Sequence, residues 1–176
     1  MRIYYIVRLA LFLAIAVLIG VYAQHLLEYL PFLVGGVIVL YGFEAMFLPI
    51  TRLKLFFFRE YQFYLGLVEV LLGSVMMAVV RDFNSICMIW GTWTIVRESF
   101  EIYETGVKIL KKFPAFLSLS LSIIEIVFSV LLIVFASEHH ALTHIYLLVP
   151  EFVIYGISPL LFELYREYQA KKLESK

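Results

Sequence analysis

Long apolar stretches separated by short polar gaps run the whole length of the chain. A bilayer core takes about 20 residues of apolar helix. Six stretches fit, at residues 3–23, 31–50, 61–80, 84–103, 114–136 and 141–163. The pattern therefore predicts an all-α bundle of six transmembrane helices, a single integral membrane domain over residues 1–176. Three hairpins fall at about 3–50, 61–103 and 114–163, followed by a basic tail at 164–176. The first stretch reads as a retained helix, because its apolar run is too long for a cleaved leader and Val21-Tyr22-Ala23-Gln24 is a poor cleavage site.

The charges orient the spans. Arg2, Arg8, Arg52, Lys54, Arg59, Lys108, Lys111, Lys112, Arg166, Lys171, Lys172 and Lys176 all fall on the side of the N-terminus. Arg81 alone falls opposite, and Arg97 lies within a span. Twelve against one follows the positive-inside bias and puts both termini in the cytoplasm. Composition agrees with a membrane class: 63% of residues are apolar and 16% charged, where a soluble domain has about half and a quarter. With 14 basic and 14 acidic residues, bulk charge gives no argument for nucleic acid. Cys87 is the only cysteine, which excludes an internal disulfide and a cysteine-based metal cage.

The hairpins look like copies of one another. Gln62, Gly66, Glu69 and Gly73 match Ser118, Ser122, Glu125 and Ser129 at a constant shift of 56 residues. Spacings of 4, 3 and 4 place each set on one helix face. The first span keeps small residues of that face, Ala16 and Gly20, without an acid. Among the returning helices Tyr41-Gly42-Phe43-Glu44 is similar to Tyr155-Gly156-Ile157-Ser158, and Val96-Arg97-Glu98-Ser99 occupies the same place.

Leu72-Gly73-Ser74, a polar outer turn, and then Trp90-Gly91-Thr92-Trp93-Thr94-Ile95-Val96-Arg97-Glu98-Ser99-Phe100-Glu101-Ile102 resemble the short-repeat hairpins of HdeD-like membrane proteins. The resemblance covers nearly the whole chain in topology. It implies a multi-pass protein of the bacterial inner membrane linked to acid resistance.

Chemistry concentrates in the charges within the spans. Glu44, Glu69, Glu98, Glu125 and Glu151 are intramembrane carboxylates, and Arg97 is the one cation read as available to them. Five acids and one base cannot all form ion pairs, so some are protonated, hydrogen-bonded or open to water. That pattern suggests a path for protons, or else a structural polar core. Arg97 is expected to meet Glu44 or Glu101, directly or through water. Pro150 and Pro159 have no N–H for the carbonyls of Tyr146 and Tyr155, so the sixth span is expected to bend beside Glu151.

His25, His139, His140 and His144 all fall on the outer side, as solvated groups that titrate near neutrality. His140 and His144 share a face if the helix has begun there, but no metal-binding motif is present and no metal or cofactor is expected. No nucleophile–base set, phosphate loop or dinucleotide fingerprint occurs, so the chain is not read as an enzyme. The expected partners are the bilayer, protons or a small solute, and other copies of the chain. A small-solute transporter or channel and a chaperone-like scaffold are the alternatives.

Overall fold

The computed structural model of the protein describes residues 2–52, 61–110 and 115–174. Lys54, Arg59, Lys111, Lys112 and Lys176, five of the basic residues used for orientation, lie outside them. The described residues form six helices: α1 (Arg2–Leu26), α2 (Leu30–Arg52), α3 (Tyr61–Val79), α4 (Phe83–Leu110), α5 (Phe116–Val134) and α6 (Glu138–Glu174). Among the described residues three segments are long and apolar enough to cross a membrane, Tyr5–Leu26, Phe116–Val134 and Glu138–Ser158. The apolar parts of α2 and α3, Leu30–Met46 and Phe63–Val79, are shorter. α4 carries Arg97, Glu98, Glu101, Glu104 and Lys108 along its second half, which lowers its apolarity.

The turns between α3 and α4 and between α5 and α6 close on their own polar groups. Arg81 donates to the carbonyls of Met77, Ala78 and Val80 at 2.9–3.1 Å, filling acceptors that the end of α3 leaves open. Asp82 then caps α4, its Oδ2 accepting the backbone N–H and the hydroxyl of Ser85 at 2.9 Å each. These two donors hold the Asp82 carboxyl below its ordinary 3.8, the backbone N–H contributing most. Ser137 serves α6 in the same way, accepting the His140 N–H at 3.3 Å, while its hydroxyl lies 2.8 Å from His140 Nδ1.

The chain divides into two compact units, residues 25–90 and residues 1–24 with 91–176. In the first unit α2 and α3 pack antiparallel along a glycine seam. A Cβ on Gly35 would lie 2.7 Å from the Gly73 carbonyl oxygen, and one on Gly42 would lie 2.7 Å from that of Gly66. Both helices repeat the contact after seven residues, so the backbones touch twice in one register. Packing is the main attraction between helices in lipid, and it favours such small-residue seams.

In the second unit α4 approaches α5 at Gly91. A Cβ on Gly91 would lie 2.8 Å from the Ser129 carbonyl oxygen, and Ser122 hydrogen-bonds Glu98. Gly91, Ser129, Glu98 and Ser122 correspond to Gly35, Gly73, Gly42 and Gly66. α6 meets α1 through Gly156, whose added Cβ would lie 3.2 Å from the Cβ of Phe12.

Burial follows the same shift. Gly66, Glu69, Gly73 and Met76 are buried on α3; Ser122, Glu125, Ser129 and Leu132 are buried on α5. On α1 the corresponding row is Ala16, Ile19 and Ala23. Gly20, expected on this face, is exposed instead, because seven-residue spacing carries the row from Ala16 to Ala23. On the returning helices Gly42 and Glu98, 56 residues apart, are both buried. That aligns Tyr41-Gly42 with Arg97-Glu98, one residue later than the phrase match suggested.

Candidate functional site

The buried row of α5 carries Glu125 into the interior of the second unit, where it is fully shielded from solvent. His144 comes from α6 and its Nε2 lies 3.6 Å from Glu125 Oε2, an ion-pair distance slightly too long for a hydrogen bond. From α4, Thr94 Oγ1 is 3.5 Å from the same imidazole nitrogen. Glu125 also feels the charges of Glu151 and Glu98, both buried. Neither Glu125 oxygen has a hydrogen-bond partner among the described residues, nor has the Ser129 hydroxyl one helical turn away. Three carboxyl groups and one imidazole thus share a buried interior supplied by three helices.

Seven residues separate His144 from Glu151 on α6, and four more lead to Tyr155, so all three lie on one helix face. Tyr155 anchors a second cluster. Its hydroxyl donates to Glu101 Oε2 at 2.9 Å and receives Arg97 Nη2 at 3.4 Å. Glu101 also accepts Thr105 Oγ1 at 3.3 Å and pairs with Lys108 Nζ at 3.5 Å. The expected Arg97–Glu101 link therefore runs through a tyrosine hydroxyl. The Arg97 guanidinium lies 5.4 Å from the Tyr155 ring and 5.7 Å from the Trp93 ring.

Arg8 completes this cluster from α1. It is buried, lies 5.0 Å from the Phe12 ring and 5.9 Å from the Tyr155 ring, and donates from Nη1 to the Tyr155 carbonyl at 2.7 Å. That carbonyl is the one for which Pro159 has no N–H to offer. A guanidinium from 147 residues away fills the place of the missing helix hydrogen bond.

The remaining sequence candidates are spread out. Glu69 is buried and Glu44 half-buried, both in the unit formed by residues 25–90. His25 and His139 are exposed, and His140 is half-buried at the start of α6 with its ring stacked near Phe135. His144 does not share their solvated setting: it is 1% exposed. Among the described residues no three His, Cys, Asp or Glu side chains gather in a way that holds a metal ion. The chain matches no family model, and neither a curated protein nor a solved structure is significantly similar to it.

Arg8, Thr94, Thr105 and Tyr155 are members of these clusters that the sequence did not single out for their side chains. Pro159 was the one usable signal, since a freed carbonyl deep in a span needs a donor.

Proposed function

We propose that the chain is a six-span membrane protein, with both termini in the cytoplasm, that takes up and passes protons through the Glu125–His144–Glu151–Glu98 cluster. The observation that carries this reading is the Glu125–His144 contact at 3.6 Å in a fully buried setting. Charge at that depth is costly, and an intramembrane acid facing an imidazole is the arrangement expected of a proton relay. Three spanning helices by length and apolarity, together with the one-sided distribution of basic residues, support the membrane reading. The sequence resemblance to HdeD-like proteins is what favours a bacterial inner membrane under acid stress.

Purified protein in vesicles tests this directly. Wild type is expected to give a pH-dependent signal between pH 4.5 and 8, as proton uptake or as tryptophan fluorescence from Trp90 and Trp93. Glu125→Gln keeps the shape of a protonated acid and removes its titration, so it should flatten that signal, as should His144→Gln. A flat response from wild type and both variants would show the polar core to be structural.

That structural alternative, a membrane scaffold, has its own support in the close seams of α2 with α3 and α4 with α5. It predicts full stability without any pH response.

A further inference from the structure

We propose that the Tyr155 hydroxyl is the innermost relay of this proton path, and that Arg8 and Arg97 beside its ring keep metal cations from following. The inference rests on the proton reading and adds to it a gate and an ion selectivity.

Geometry supplies both halves. Glu151 stands one helical turn from Tyr155 on the same face of α6, toward the Glu125–His144 pair. On the other side the Tyr155 hydroxyl already donates to Glu101 at 2.9 Å, within the 2.6–3.2 Å reach that direct proton transfer requires. Glu101 is 13% exposed and its partner Lys108 is 27% exposed, so this end of the cluster lies nearer the protein surface than Glu125, which is fully buried.

The step balances simply. Tyr155 gives its own proton to Glu101 Oε2 as its oxygen accepts one passed from the Glu151 carboxyl, directly or through a water. Glu151 loses a proton, Glu101 gains one, and the tyrosine is unchanged. Glu101 then releases the proton beside Lys108. A proton crosses by exchange of hydrogen bonds and needs no room.

A sodium ion needs both room and a negative site, and two guanidiniums at 5.4 and 5.9 Å from the ring oppose it. Arg8 is held there by the carbonyl that Pro159 leaves open, and Arg97 by the hydroxyl of Tyr155 itself.

The test uses the full chain in phosphatidylethanolamine–phosphatidylglycerol vesicles loaded with a pH dye, with potassium and valinomycin clamping the voltage. Wild type should take up protons and exclude radioactive sodium. Tyr155→Phe keeps the ring and the carbonyl that Arg8 holds, and should slow proton uptake about tenfold or more. Glu101→Gln keeps an acceptor yet takes no proton at neutral pH, and should do the same; it decides alone if Tyr155→Phe cannot be reconstituted. Arg97→Gln should admit sodium. Wild-type rates in the Tyr155 and Glu101 variants, with uptake still abolished by Glu125→Gln, overturn the gate and leave the proton reading standing. Continued sodium exclusion by Arg97→Gln overturns the selectivity. No uptake by wild type overturns the gate and the reading beneath it together.

Discussion

Ser122 hydrogen-bonds Glu98 at the position where, 56 residues earlier, Gly66 touches Gly42. Between α2 and α3 these positions bring two helix backbones into contact; between α4 and α5 a hydroxyl and a carboxyl meet at them instead. Replacing Ser122 with Ala should leave Glu98 without that donor and cost about 1–3 kcal/mol. Unfolding in detergent micelles measures this, and Ser120→Ala, at an exposed position on the same helix, is the control.

The α2–α3 seam should be intolerant of any added carbon. Gly42→Ala places a Cβ 2.7 Å from the Gly66 carbonyl and 2.8 Å from the backbone nitrogen of Val70, neither of which can swing aside. Overpacking of this kind costs roughly 1–3 kcal/mol. Gly36→Ala, with nothing within 4 Å of the new carbon, should be neutral or slightly stabilising. Thermal unfolding of the two variants side by side distinguishes them, and equal melting temperatures would refute the seam.

Arg8→Leu should destabilise the protein more than Arg81→Leu. The first change strands a carbonyl inside α6 that no N–H can reach, while the second frees carbonyls at an exposed helix end where water replaces the donor. Denaturation by a graded detergent series gives the order, and the reverse order would show that Arg8 contributes little.

How much of this was legible in the sequence depends on how far each contact reaches along the chain. The helices and their buried faces follow from spacing alone, as the rows through Glu69 and Glu125 show. His144 was misplaced because α6 begins at Glu138, three residues before the apolar run, so that residue 144 is already well inside a helix. Arg8 reads as one of several basic anchors near the N-terminus, and only a partner 147 residues away distinguishes it. Tyr155 is one of 12 tyrosines, and nothing in its local sequence singles out its hydroxyl.

Orientation is checked by chemical labelling. Glu138→Cys, exposed at the start of α6, should react with a membrane-impermeant thiol reagent from outside intact cells, and Leu110→Cys, 84% exposed at the end of α4, should not. Cys87 is buried and should stay silent in both. The opposite pattern would invert the topology.

The cap on α4 should respond to acid. Because Asp82 is held below its ordinary 3.8 in the folded chain, its contribution is fully present above that value and is lost as pH falls through the lowered one. Hydrogen exchange at residues 83–86 should therefore quicken in strong acid, below the range in which carboxylates normally titrate. Asp82→Asn keeps an acceptor without a titration and should remove this acid dependence.

The two glycine contacts between α2 and α3 also set the alignment of those helices, backbone against backbone. A slide of one heptad, about 10 Å, preserves a single contact, and a slide of one turn preserves none. Only one register satisfies both notches. The pair is keyed, like a lock whose cuts are the atoms left out, and such a key works equally well in lipid and in detergent because it asks nothing of the solvent.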